Sequence, residues 1–312
     1  MTSCRSVVFA YHNIGVICLE ELLASGDEVA LVVTHADQPG ESVWWASVRE
    51  LARRFDIPVL VDPDVRAAEL ADRLRACAPD FVFSFMFRTL LPRELLEIPR
   101  LGALNLHPSA LPKYRGRAPI NWALVRGETE TGVSLHYMVE KPDRGDVVAQ
   151  RRFPIGELDT ALTLHRRATE EARILFREVY PLLRDGRAPR VPQDPAGASY
   201  FGGRKPEDGR IDWRWPAPRI YDLLRAVTHP YPGAFTSHGG RRLFVWWGRP
   251  ERERLDLAPG RLEVSADGVR AGTGQGALRL ERVQVEGQRE ADAVDWVAST
   301  GVRSGDQLGE GT

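Results

Sequence analysis

The feature that most constrains this chain is an alternation, through its first half, of short apolar runs with stretches of helical period. Ser6–Ala10, Glu28–Thr34, Pro58–Val61 and Asp80–Phe85 are runs rich in β-branched, aromatic and aliphatic residues. Between them Gly15–Ser25, Trp44–Phe55 and Val65–Cys77 read as helices. The first of these has its stripe at Val16, Leu19, Leu22 and Leu23 and is stopped by Gly26. A strand that returns parallel to its predecessor needs a crossover, which a helix supplies. The order therefore predicts an α/β, Rossmann-like, mainly parallel sheet with helices on both faces. No Gly-x-Gly-x-x-Gly follows the first run, so a dinucleotide-binding reading loses its main support.

A further strand, Leu101–His107, leads into a Pro/Gly/Arg-rich loop, Pro108–Pro119, and a helix near Ile120–Arg126. Val133–Val139 alternates apolar and polar residues as a half-buried strand does. Asp143-Arg144-Gly145 reads as a turn, Asp146–Arg151 as a strand, and Thr160–Leu183 as the longest helix. Between Gly186 and Gly209 seven further prolines and glycines mark a linker. Beyond it lie one helix, Trp215–Val227, and short strands at Ala234–Ser237, Leu243–Trp247, Arg261–Ser265 and Ala277–Gln284. Short strands with glycine turns suggest a small barrel or sandwich. The expected division is an N-terminal domain over 1–188, a linker over 189–209, a β-rich, OB-like domain over 210–300, and a loose polar tail over 301–312.

Length and composition exclude several classes. At 312 residues there is room for two domains. With 42 basic and 43 acidic side chains, no global positive field attracts nucleic acid. No run approaches the roughly 20 apolar residues that span a bilayer, and Met1–Ser6 lacks a signal-peptide layout. Cys4, Cys18 and Cys77 have no paired spacing, which suits a reducing compartment. The expectation is a cytoplasmic protein. The seven histidines contain no His-x-x-x-His pair, so no metal is expected.

The chemistry gathers near Asn105 and His107. Two apart in a strand, they share a face, while Leu104 and Leu106 point into the core. They lie at the strand's C-terminal end, where open α/β sheets place ligands. Taken singly, His107 suits a histidine satisfied by a carbonyl, and Asp143 a turn cap. The run Asn105-Leu106-His107-Pro108-Ser109, with Leu111-Pro112-Lys113-Tyr114-Arg115-Gly116, Gly127–Val133 and Asp143-Arg144-Gly145-Asp146-Val147, changes that reading. Three motifs in this order resemble the folate-dependent formyltransferases. The likeness continues through Arg210-Ile211-Asp212-Trp213 and Pro230-Tyr231-Pro232-Gly233-Ala234. Val8–His12, Thr34–Glu41 and Tyr114–Pro119 are most similar to the enzymes that formylate UDP-4-amino-4-deoxy-L-arabinose in lipid A modification and polymyxin resistance. In that group the formyltransferase part is fused to a decarboxylase. None follows here, so formylation alone is expected.

The resemblance implies transfer from 10-formyltetrahydrofolate to the amine of a nucleotide-linked amino sugar. An amine attacking a formyl carbon generates an oxyanion, which needs a donor, and protons must be moved between nitrogens. Asn105 would donate, a contact whose loss typically costs roughly 10²–10³ in rate. His107 would carry protons, and Asp143 would hold its tautomer and favour its charged form. The same resemblance places folate against Thr89, Leu90 and Leu91, against Arg117, and against Val139, Glu140, Lys141, Pro142 and Asp143. Arg204 and Lys205 would meet a diphosphate or be solvated surface charges. Methionyl-tRNA formylation and formyltetrahydrofolate hydrolysis are the alternatives, and a non-catalytic scaffold is disfavoured by the intact Asn105, His107 and Asp143. Homo-oligomerisation stays open, since Trp246 and Trp247 would serve an interface or a core equally well.

Overall fold

The computed structural model of the chain describes residues 3–40, 42–251 and 257–309. Glu41, the last residue of the Thr34–Glu41 motif, lies outside them, as do residues 310–312 of the expected tail. The chain divides into two units. The first comprises Met1–Pro119, Glu130–Pro154 and His165–Gly202; the second comprises Ile120–Thr129, Ile155–Leu164 and Gly203–Thr312.

Along the chain run β1 (Arg5–Ala10), α1 (His12–Ala24), β2 (Glu28–Thr34), α2 (Val48–Arg54), β3 (Val59–Val61), α3 (Ala68–Cys77), β4 (Phe81–Phe85), α4 (Arg93–Leu96) and β5 (Gly102–His107). There follow β6 (Arg115–Gly116), α5 (Pro119–Val125), β7 (Glu130–Tyr137), β8 (Val147–Pro154), α6 (Ala161–Arg184) and β9 (Tyr200–Phe201). The remainder holds α7 (Ala217–Val227), β10 (Ala234–His238), β11 (Arg241–Glu251), β12 (Leu262–Ser265), β13 (Gly268–Gly272), β14 (Ala277–Val285), β15 (Ala291–Asp292) and α8 (Ala293–Thr300).

The first unit is built on a seven-stranded sheet in the order β3-β2-β1-β4-β5-β7-β8. From β3 to β5 neighbouring strands are parallel; β7 and β8 add antiparallel. Both faces are buried, as a parallel sheet requires. On one face Val7, Phe9, Leu31, Val33 and Val82 pack with Leu70, Ala71 and Leu74 of α3. On the other, Phe83 and Phe85 meet Phe176 of α6 edge to face at 5.4 Å, and Phe83 meets Tyr180 at 6.0 Å. This alternation follows from the period of two in Phe81-Val82-Phe83-Ser84-Phe85. The sheet order reverses around β1, so the strand ends of β1 and β4 flank the crevice where such folds bind ligands.

In the second unit β10-β11-β14-β13-β12 form an antiparallel sheet, with β15 on β14. Trp246 belongs to its core: it is buried, stacks on His229 at 3.7 Å, and donates through Nε1 to Gln284 Oε1 at 2.8 Å.

Three stretches differ from the sequence reading. The helix expected over Trp44–Phe55 spans only Val48–Arg54, because Ser47 caps it by accepting from the Glu50 amide at 3.2 Å. The two tryptophans instead pack around His12, at centroid distances of 4.5 and 4.4 Å. The tail expected to be loose is paired through Gly309: Leu308 is buried and its amide donates to Gly260 O, while the Gly309 amide donates to Ser237 O. Within the stretch read as a linker, Val191 bridges Val147 and β9 pairs with β6, so residues 191–201 are hydrogen-bonded into the first unit.

Candidate active site

β5 is a central strand, flanked by β4 and β7, and this sets what Asn105 and His107 meet. Leu104 and Leu106 are buried in the sheet's packing, and the alternate face carries the polar pair. In the antiparallel β5–β7 register Asn105 lies opposite His136 and His107 opposite Ser134. Asn105 Nδ2 is 3.1 Å from His136 Nε2. His136 Nδ1 lies 2.8 Å from the Tyr137 carbonyl, so that nitrogen carries the proton and Nε2 accepts from Asn105. His136 thereby orients the Asn105 amide. Sequence reasoning missed this residue. Its signal was the period-two run Ser134-Leu135-His136, but the register that pairs it with Asn105 is not readable from one strand.

His107 is buried, and its Nε2 donates to the Tyr114 carbonyl at 2.8 Å. That contact fixes the tautomer, a role the sequence reading gave to Asp143. It leaves Nδ1 as the nitrogen that can accept a proton. Asp143 Oδ1 lies 3.6 Å from His107 Nδ1, 3.5 Å from His136 Nε2 and 3.5 Å from Asn105 Nδ2. The three expected catalytic residues thus converge, with His136 as a fourth.

Asp143 arrives from the loop after β7 in a left-handed conformation, φ 56°. Two glycines allow the close backbone approaches on either side of it. A side chain on Gly145 would collide with the Tyr137 carbonyl, and one on Gly116 (φ 97°) with the Phe201 carbonyl. The Gly116 amide donates to Asp143 Oδ2 at 2.7 Å. Burial raises the Asp143 pKa, but His107 and the Gly116 amide outweigh it, and the carboxyl titrates well below the usual range. Asp143 is therefore an anion beside His107 Nδ1.

The expected folate-contacting residues lie on loops of the first unit. Thr89 and Leu90 are exposed and Leu91 is half-buried, directly after β4. The residue before them is held by a brace across four strand ends. Arg88 N donates to His35 Nε2 at 3.1 Å, and His35 Nδ1 meets Asp62 Oδ1 at 2.8 Å. The His35 ring stacks on Phe87 at 4.1 Å. Tyr11 donates to Asp37 at 2.5 Å and lies under the Arg88 guanidinium at 4.5 Å. Val139, Glu140 and Lys141 are exposed, Pro142 half-buried, and Arg117 exposed. Leu90 and Val139 are exposed large hydrophobics, apolar surface of the kind a pterin ring covers.

Arg204 and Lys205 belong to the second unit. The Arg204 guanidinium stacks over Trp122 at 4.6 Å and donates to the Asp208 carbonyl at 2.9 Å. Lys205 is exposed, and its amide is capped by Asp208 Oδ2 at 2.7 Å. Among the described residues no three His, Cys, Asp or Glu side chains group to hold a metal ion, and no helix is long and apolar enough to cross a membrane.

The formyl transferase family model matches residues 5–180, and the model of the formyl transferase C-terminal domain matches residues 204–301. The chain belongs to the formyl transferase family. Solved structures agree in fold. WlaRD, a sugar 3N-formyl transferase solved with dTDP and 5-N-formyl-THF, superposes with a TM-score of 0.69 at 19% identity, over 93% of this chain and 100% of that one. The N-formyltransferase of Helicobacter canadensis, solved with folinic acid and dTDP-3-aminofucose, gives 0.68 at 20% identity over the same shares. HypX from Aquifex aeolicus with tetrahydrofolic acid gives 0.65 at 20% identity, and this formyltransferase chain, 97% covered, spans about half of it (49%).

Proposed function

We propose that this formyltransferase moves the formyl group of 10-formyltetrahydrofolate to the amine of a nucleotide-linked amino sugar, with UDP-4-amino-4-deoxy-L-arabinose the foremost acceptor. The observation that carries the reading is the convergence of Asn105, His107, His136 and Asp143 on one strand end. Family membership supports it, as do the folate compounds and thymidine nucleotides with which the two sugar N-formyltransferases of like fold were solved. The residues fit a folate donor, whose pterin would lie against Thr89–Leu91 and Val139–Pro142. The second Asn105 N–H would donate to the oxygen of the attacked formyl carbon. The new bond joins that carbon to the sugar nitrogen; the bond that breaks joins it to the folate nitrogen. His107 Nδ1 takes the amine's proton, becomes an imidazolium beside Asp143, and returns the proton to the departing nitrogen. Arg204, with Lys205, would bind the diphosphate, and Trp122 beneath Arg204 limits the guanidinium's freedom.

The test is turnover with 10-formyltetrahydrofolate and UDP-4-amino-4-deoxy-L-arabinose, beside a dTDP-linked 3-amino sugar and His107→Ala. Sugar-dependent release of tetrahydrofolate that collapses in His107→Ala supports the reading. Turnover with only the dTDP sugar replaces the acceptor. Folate release without any acceptor replaces transfer by hydrolysis.

A further inference from the structure

The Asp143 carboxylate accepts from the Gly116 amide, and its main chain sits in a left-handed turn whose base is closed by the Tyr137 amide donating to the Asp146 carbonyl at 2.9 Å, while the carbonyls of the turn itself are tied from elsewhere in the chain. The tie comes from Gln193, fifty residues on, in the stretch that reads as linker. Gln193 Nε2 donates to the Asp143 carbonyl at 2.9 Å and to the Gly145 carbonyl at 2.7 Å, spanning the turn. Its Oε1 accepts from Arg115 Nε at 3.1 Å and Nη2 at 2.8 Å. All four contacts lie within the first unit. Arg115 is buried and precedes Gly116, the donor to Asp143 Oδ2. The same strap also holds the other partner of His107. Ser199 Oγ accepts from the Tyr114 amide at 2.9 Å, the Ser199 carbonyl accepts from the Arg115 amide at 2.9 Å, and Tyr114 stacks on Phe201 at 5.1 Å. Tyr114 is the residue whose carbonyl fixes the His107 tautomer.

We propose that Gln193 is a positioning residue for formyl transfer, a clamp that sets the Asp143 carboxylate against His107 by spanning the Asp143–Gly145 turn. A side-chain amide suits this task. It supplies two N–H donors for the two carbonyls and an acceptor for a guanidinium, which neither a carboxylate nor an aliphatic chain can do together. The carboxylate's contacts on Oδ1 all lie at 3.5–3.6 Å, too long to fix that oxygen by themselves, so its place against His107 depends on the turn that carries it. The inference rests on the reading of Asn105, His107 and Asp143 as the transfer machinery.

The test uses Gln193→Glu, which keeps the acceptor for Arg115 and loses both donors, and Gln193→Leu, which loses all four contacts at similar volume. Both are measured by steady-state kinetics and thermal melting, alone and in an Asp143→Asn background. The expected result is a kcat lowered on the order of 10- to 100-fold in both variants. KM for folate and sugar should stay within about twofold, and in the Asp143→Asn background the further loss should be under about twofold. A wild-type kcat in either folded variant overturns the proposal, and so does a loss that stays undiminished without the Asp143 carboxylate. If the wild type shows no turnover with any acceptor, the transfer reading fails by itself. The clamp is then decided by the ¹⁵N shifts of the His107 imidazole, which move in Gln193→Leu if Gln193 places Asp143, and whose constancy overturns it.

Discussion

At the scale of single residues, the site depends on which nitrogen of each histidine is free. His136 donates to the Tyr137 carbonyl and accepts from Asn105; His107 donates to the Tyr114 carbonyl, which leaves the Nδ1 lone pair for the proton transfer proposed above. His136→Phe should therefore release the Asn105 amide and lower kcat by roughly tenfold or more, with Asn105→Ala lowering it by roughly 10²–10³. Single-turnover rates separate the two. A second pair of histidines bears on stability. His12 and His165 are buried 4.3 Å apart, with His12 Nδ1 and His165 Nε2 unpartnered among the described residues. Burial pushes the His12 pKa down to about 2, helped by His165 and Arg88, and that of His165 to about 4. Both are neutral when folded and become charged near pH 6.5 when unfolded. Their contribution is complete above pH 6.5 and shrinks as pH falls towards 4, by up to about 1.4 kcal/mol per pH unit for each. The melting temperature should drop between pH 7 and 4, and His165→Phe should flatten that slope. Asp143, held below the usual carboxylate range, adds its own loss only below about pH 4.

At the scale of elements, the brace at the ends of β1 to β4 gives His35 and Asp37 a purpose. It is a scaffold for Arg88 and the loop that follows it. His35→Ala removes two hydrogen bonds, to the Arg88 amide and to Asp62, and the ring stack on Phe87. It should raise the folate KM about fivefold, corresponding to about 1 kcal/mol, with kcat little changed. The sequence made the parallel sheet legible because Phe81–Phe85 and its counterparts are continuous apolar runs, which only strands buried on both faces need. Asn105 and His107 were legible because they interrupt one such run at its end. His136, Tyr114 and Gln193 were not, because their roles depend on register and on backbone carbonyls that any residue possesses. The stretch 189–209 misled for a physical reason. Proline and glycine mark where helices and strands cannot form, but they do not exclude a backbone that donates and accepts across β6 and β9.

At the scale of the molecule, the units are not consecutive in the chain. Ile120–Thr129 and Ile155–Leu164 leave the first unit's sequence to join the second. Asn121 Nδ2 donates to the Ala226 carbonyl at 2.8 Å, the Tyr221 hydroxyl to Glu157 O at 2.9 Å, and Arg225 to the Gly156 and Asp159 carbonyls at 3.1 and 3.0 Å. Ending the polypeptide at Gly202 would strip both excursions of α7. The fragment should melt well below the whole protein or aggregate, as differential scanning calorimetry and light scattering will show. There is a historical corollary. A C-terminal unit that must be threaded by two internal segments cannot be exchanged as a cassette by recombination at one junction. A new unit grafted behind Gly202 would inherit loops shaped for the old one. Changes of acceptor in such a lineage would then arise by substitution within a co-adapted pair rather than by shuffling.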